Sequence, residues 1–189
     1  FVCNRAGASL EQTEGLCTLC PTASLTVKSP YKLVEHMAIH MLFDRNPLIS
    51  RDANPCGFCL GTQCSIVLVK RKGGDGATRI DLAKSRCTNL ANLGLATAAK
   101  FSMRSPCTNC PCLCPIVPCQ DIVWKYNLES HIRNVHPTAT LTNYKREYSL
   151  AEGEEVALKT IATAKPRKSS KKSIKFKISH EHSTEAAIG

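Results

Sequence analysis

Cys17-Thr18-Leu19-Cys20 is followed, fifteen residues later, by His36-Met37-Ala38-Ile39-His40. Two cysteines in a C-x2-C spacing can sit on one tight knuckle and turn both thiolates toward one ion. Two histidines four apart share a face of a helix. Together they make a tetrahedral set of two sulfurs and two nitrogens, the donor set that suits zinc. Ser29-Pro30 marks where the helix carrying the histidines should begin, with Ser as cap and Pro at the first helical position.

A second arrangement of the same kind runs from Cys114 and Cys119 through eleven residues to His131 and His136. The C-x2-C knuckle is missing here, and Cys112 or Cys110 stands as an alternative sulfur donor. Aligning the histidines exposes an internal repeat, Tyr31-Lys32-Leu33-Val34-Glu35-His36 against Tyr126-Asn127-Leu128-Glu129-Ser130-His131. In both copies a leucine, Leu33 or Leu128, precedes the first histidine by three residues and should pack beneath the helix. On these residues both segments resemble the two-Cys/two-His zinc-finger family, which implies a ββα fold around each ion.

Between them lies a third candidate centre. Asn54-Pro55-Cys56-Gly57-Phe58-Cys59 reads as a knuckle in which Gly57 permits the turn. Cys64, the aliphatic run to Val69, the turn Gly73-Gly74-Asp75-Gly76 and the segment Thr78 to Leu82 read as a β-hairpin. A turn centred near Asp75 sets Cys64 opposite Cys87 and Lys70 opposite Asp81. Cys56, Cys59, Cys64 and Cys87 would then offer four sulfurs to one zinc, as in a zinc ribbon. A competing set takes Cys107 and Cys110 as the second knuckle. Cys3 has no evident partner.

The elements that must position these donors are short. Twelve cysteines in 189 residues, with aromatic residues at 5%, argue against one well-filled core and for small units held by metal or cross-links. Six histidines in close pairs favour metal over a disulfide framework, which has no need of histidine. The longest apolar run, Ile66 to Val69, is strand-sized, which excludes a membrane-spanning helix. A further helix is expected over about Leu150 to Ala164, with Glu152, Glu154 and Glu155 favouring its N-terminal dipole.

Charge is unevenly placed. Residues 64–113 carry a net +6 and residues 164–189 a net +5, while residues 1–63 are neutral and 114–163 carry −1. Lys165 to Lys177 holds seven basic side chains in thirteen residues, the composition of a disordered segment that addresses the nucleus or touches nucleic acid. The candidate nucleic-acid contacts there are Lys165, Arg167, Lys168, Lys171 and Lys172, joined by Lys125, Asn127 and Arg133 around the second His pair. With the first histidine of each pair counted as helix position 7, the base-reading positions −1, 3 and 6 fall on Ser29, Lys32 and Glu35, and on Trp124, Asn127 and Ser130. Asn127 suits adenine, whereas Trp124 suits packing. The two units stand too far apart for a tandem array following one groove, so non-specific binding through the basic hairpin and tail is the stronger expectation.

Enzyme patterns fail on inspection. Cys56-x2-Cys59 lacks the βαβ context of a redox pair. Pro55-Cys56-x2-Cys59 lacks the His-x-Glu of a zinc deaminase. His180-Glu181-His182 has the wrong spacing for a metalloprotease. Histidine is absent from residue 41 to 130, so no cross-braced ubiquitin-ligase pattern forms. The expectation is a protein without catalysis.

Asn54 to Cys59, Pro106 to Asn109, Trp124 to His136 and Lys165 to Lys177 also resemble a group of basidiomycete-type fungal zinc-finger proteins, across about two-thirds of the chain. The departure is Val117, which stands where that resemblance calls for a second cysteine. It implies zinc and a nuclear setting and brings no activity. The fold expected is therefore a small metal-stabilised α+β protein. It comprises a first finger with an N-terminal extension (1–50), a Cys-rich hairpin module resembling a zinc ribbon (51–112), a second finger (113–140), a linker and helix (141–164), and a disordered basic tail (165–189). The expected role is a nuclear zinc protein that binds nucleic acid; the alternative is a zinc-dependent scaffold for nuclear proteins whose tail is only an import signal.

Overall fold

The computed structural model describes residues 15–17, 19–20, 24–25, 29–44, 53–70 and 77–164, so the basic segment 165–189 lies outside the described residues. These residues form a small α+β structure with three two-stranded antiparallel sheets and five α-helices. Among them, no helix is long and apolar enough to cross a membrane.

The chain opens with strands β1 (Gly15–Leu16) and β2 (Ser24–Leu25), then helix α1 (Pro30–Phe43). Ser29 is extended and Pro30 occupies the first turn, where its missing N–H leaves no hydrogen bond unmade. Leu33, Val34, Met37, Ala38 and Met41 bury the inner side of α1, a spacing of one and two helical turns.

In the middle of the chain β3 (Leu68–Lys70) pairs with β4 (Thr78–Ile80), with Leu68 opposite Ile80 and Lys70 opposite Thr78. Lys70 therefore does not face Asp81, as the symmetric hairpin would have it. Asp81 instead turns the chain: its Oδ1 accepts from the N–H groups of Ala83 and Lys84, and its carbonyl accepts from Ser85. This inserted turn displaces the register by three residues. Beyond it Ser65 pairs with Arg86, which restores the alignment that sets Cys64 against Cys87.

Helix α2 (Leu95–Ala98) leads to β5 (Pro111–Leu113) and β6 (Ile122–Trp124), a 3-10 turn (Lys125–Asn127) and α3 (Leu128–Val135). Helices α4 (Lys145–Tyr148) and α5 (Glu154–Thr163) follow. The helix expected over Leu150 to Ala164 thus begins later, because Gly153, at φ 78°, takes a left-handed turn just before it.

One apolar core joins parts far apart in sequence: Leu33, Met37 and Met41 of α1, Phe58, Leu93, Trp124, Tyr126 and Leu158 of α5 all belong to it. A smaller cluster of Val123, Leu128 and Ile132 lies under α3. Leu33 and Leu128, the repeated leucines, are both buried, one in each core. Pro106 to Asn109 is the buried strap between the units. Asn109 donates to the Met41 sulfur and accepts from the Tyr126 N–H, while Thr108 reaches Glu154.

Candidate metal centres

Three groups of four donors come together: Cys17, Cys20, His36 and His40; Cys56, Cys59, Cys64 and Cys87; and Cys114, Cys119, His131 and His136. Within each group every donor atom lies within 4.8 Å of the others, and each group could hold a metal ion. About an ion with ligands near 2.0 Å for nitrogen and 2.3 Å for sulfur, tetrahedral geometry sets neighbouring donors roughly 3.3–3.8 Å apart.

In the first group Nε2 of His40 lies 3.5 Å from Cys17 Sγ, 3.3 Å from Cys20 Sγ and 3.1 Å from Nε2 of His36. The other ring nitrogen of His40 faces the Asp44 carboxylate at 3.2 Å, which fixes the ring and leaves Nε2 toward the group. Asp44 was not expected, although its place four residues beyond His40, at the end of the same helix, was a readable signal. Burial, with His40 adding to it, holds His36 below its ordinary range. Burial, then the neighbouring Cys17, pushes Cys20 up.

The four-thiol group is built on the turn 56–61. Leu60 N–H donates to the Cys56 carbonyl at 2.8 Å and Cys56 N–H to the Gly61 carbonyl at 2.9 Å. Two more amides point at sulfur: Phe58 N–H toward Cys56 Sγ at 3.5 Å and Gly61 N–H toward Cys59 Sγ at 3.4 Å. The sulfurs stand 3.3 Å (Cys59–Cys64), 3.5 Å (Cys87–Cys59) and 3.7 Å (Cys56–Cys87) apart. Hydrogen bonds from Cys56 and Cys87 bring Cys59 down to about 2, whereas burial and the bond to Cys59 push Cys64 up to about 12. The bond to Cys59 also raises Cys56. Ionised together, four thiolates in so small a space would repel one another, and a cation among them would relieve that repulsion.

The turn is not made by Gly57. Its left-handed residue is Leu60, at φ 61°, and Asn54, at φ 50°, is left-handed just before the turn. Asparagine tolerates that region; for leucine it costs about 1–2 kcal/mol. Gly57 serves a different end: a methyl group there would overlap the Trp124 ring.

In the last group Cys114 Sγ lies 3.5 Å from Nε2 of His136, and Cys119 Sγ 3.6 Å from Nε2 of His131. The loop is closed by Cys114 N–H on the Asp121 carbonyl and Cys119 N–H on the Ile116 carbonyl, at 2.9 and 2.8 Å. Burial lowers His131, aided by His136 and opposed by Asp121. Burial raises Cys114.

The alternative donors lie elsewhere. The Cys112 thiol faces the Val123 carbonyl and Cys107 the Tyr126 hydroxyl. Burial pushes both up to about 12 and raises Cys110 as well, so these three are packed thiols. None of the eleven described cysteines forms a disulfide.

The candidate nucleic-acid contacts around α3 are differently placed from the expectation. Asn127 is fully buried, its Nδ2 donating to Asn54 Oδ1 at 3.0 Å and to the Pro55 carbonyl at 2.9 Å. Its Oδ1 is buried without a hydrogen-bond partner, at a cost of about 1–3 kcal/mol. Trp124 is buried edge-on to Phe58, with centroids 5.0 Å apart. Lys125 Nζ donates to Thr108 Oγ1 at 2.7 Å, and Arg133 pairs with Glu129 at 2.6 Å. In α1, Glu35 is buried and pairs with Lys32 at 2.8 Å. Of the six positions that would read bases, Glu35, Trp124 and Asn127 are therefore committed inside the protein, Ser29 and Ser130 are half-buried, and Lys32 is exposed. Lys165, Arg167, Lys168, Lys171 and Lys172 lie outside the described residues.

Sequence reasoning also missed an internal anchor. Glu154, at the start of α5, is fully buried and accepts from the Thr108 amide and hydroxyl, the Tyr126 hydroxyl and the Ala151 amide. Four donors around one carboxylate hold α5 against the Pro106–Asn109 strap and the turn after β6. Nothing local distinguishes Glu154 from its exposed neighbours Glu152 and Glu155.

Cations remain on the surface of the middle of the chain. Lys70, Arg79, Lys84, Arg86, Lys100 and Arg104 are all exposed, and none pairs with a carboxylate among the described residues. Compared with known proteins, the chain matches no family model, no curated protein and no solved structure.

Proposed function

We propose that this chain is a non-catalytic zinc protein of the nucleus that binds nucleic acid through phosphate contacts rather than base edges. The donor groups carry the zinc reading: two sets of two sulfurs and two nitrogens and one set of four sulfurs, at separations that suit a tetrahedral ion. On this reading, β1, β2 and α1 form one ββα finger-like unit, β5, β6 and α3 another, and the β3–β4 hairpin a zinc-ribbon-like module. The exposed cations Lys70, Arg79, Lys84, Arg86, Lys100 and Arg104, unpaired among the described residues, support phosphate contact, and the burial of Asn127 and Trp124 speaks against base reading.

The test has two parts. Native mass spectrometry of reduced protein should count three zinc ions per chain; zinc-free protein with native helicity would sink the metal reading. Duplexes of unrelated sequence should bind with equal affinity and with a steep loss on adding salt. Binding independent of salt, or confined to one sequence, would sink the phosphate reading.

A second reading, a protein-interaction scaffold, draws on a largely apolar groove of about 640 Å³ lined by Leu68, Ala96, Ala99, Pro111, Leu113 and Ile122. A stable partner retained after deletion of residues 165–177, with no affinity for duplexes, would favour it.

A further inference from the structure

We infer that the four-thiol group is a metal-dependent latch on the base-reading side of the second Cys/His unit, so that the two groups take up metal cooperatively. The inference rests on reading both groups as metal centres; it does not require nucleic-acid binding.

One knuckle supplies the residues that meet Trp124 and Asn127. Gly57 and Phe58, which receive the Trp124 ring, lie between the donors Cys56 and Cys59. Asn54 and Pro55, which hold Asn127, immediately precede Cys56. The path of these residues depends on a turn in which Leu60 is held left-handed and two amides point at the Cys56 and Cys59 sulfurs. An ion that draws the four sulfurs together keeps that turn closed. Without it, the left-handed Leu60 is held only by the backbone hydrogen bonds of the turn and by its own burial.

The opposite side of the contact is equally metal-dependent. Trp124 ends β6 and Asn127 ends the turn into α3, each next in sequence to a residue of the small cluster, Val123 or Leu128, in the unit that carries Cys114, Cys119, His131 and His136. Each ion therefore stabilises one half of a shared interface, and by linkage each raises the affinity of the other equally. Opening the interface would uncover helix positions −1 and 3, which the closed form keeps from any ligand.

Trp124 is the single tryptophan in the chain, so its fluorescence reports the interface directly. The experiment uses full-length reduced protein, titrated with zinc against a competing chelator, with ions counted by native mass spectrometry. Three chains are compared: wild type, Gly57→Ala and the double variant Cys59→Ser/Cys64→Ser. Gly57→Ala keeps every donor but drives a methyl group into the indole. It should shift Trp124 emission to the red, increase its quenching by acrylamide, and weaken zinc at both groups on the order of 5–150-fold. Cys59→Ser/Cys64→Ser should lose one ion outright, expose Trp124, and weaken the Cys114–His136 group by a similar factor while the Cys17–His40 group holds.

Wild-type protein that binds three ions, beside variants whose Trp124 emission and remaining affinities match it, would overturn the latch and leave the metal reading standing. Wild-type protein that binds no ion would overturn both. Should Gly57→Ala fold poorly, wild type alone decides. Cooperative release predicts that chelation takes two ions off together, whereas three independent steps would overturn the proposal.

Discussion

The two Cys/His units begin from the same repeat, a leucine three residues before the first of two histidines, and end in different situations. Helix α1 is fourteen residues long and buries Leu33, Val34, Met37, Ala38 and Met41 in the large core shared with Phe58, Trp124 and Leu158. Helix α3 is eight residues long, buries Leu128 and Ile132 in a small core edged by half-buried side chains, and leaves Glu129 and Arg133 to water. A shared donor pattern thus specifies the local centre without specifying how the unit is used. One helix has become the core of the whole assembly; the other keeps its own small core and docks through its entry side.

Removing one histidine from each unit should separate the two helices most. His131→Ala should strip most of the protection from α3, whose small core has only three fully buried residues ringed by half-buried ones such as Leu141 and Tyr148. His36→Ala should leave α1 largely protected by its larger core. Amide exchange resolved by segment checks this, and equal loss of protection in the two helices would show that α1 depends on its metal just as much.

Glu154→Ala comes next in size. It strands the Thr108 and Ala151 amides and two hydroxyls in the interior and should destabilise the chain by about 3 kcal/mol or more, read as a lowered denaturation midpoint. Leu33→Ala and Leu128→Ala should each cost about 2–5 kcal/mol. The comparison predicts that the first lowers stability of the whole core, while the second releases α3 preferentially.

Acid should act on both units in the same direction. His36 and His131 are held below the ordinary 6.5 in the folded chain, so the unfolded chain takes up their protons first. Their contribution is complete above about pH 6.5 and is lost as pH falls through the lower folded values, and proton competition for the ligands adds to the loss. A melting temperature that rises as pH is lowered from about 6.5 to about 5 would contradict this. The smallest expected effect is at Lys84 and Arg86: replacing both with Ala should change stability by no more than about 0.5 kcal/mol. It should also reduce the slope of duplex affinity with salt by roughly 0.9 per lost phosphate contact.

Much of the candidate chemistry is legible in the order of residues alone. Ser29-Pro30 marks the start of α1, the i, i+4 pair of His36 and His40 marks its donor-bearing side, and the hairpin reading brings Cys64 to Cys87. These features are local or nearly so, and follow from helical periodicity and strand pairing. The register between Lys70 and Thr78 is not legible in the same way, because the turn made by Asp81 inserts residues that the alternation of strand side chains does not announce.

By itself, then, the sequence determined which residues can act as metal donors, where α1 begins and which leucines lie beneath the histidines. Side-chain chemistry and backbone period act over a few residues, and the donor spacings are short. Only the tertiary structure decided that Gly57 is a seat for an indole, that Asn127 faces Asn54 instead of solvent, and that Glu154, among three nearby glutamates, is the buried one. Those outcomes depend on the fit of surfaces brought together from distant parts of the chain, where shape and hydrogen-bond pairing are settled only once both sides are folded.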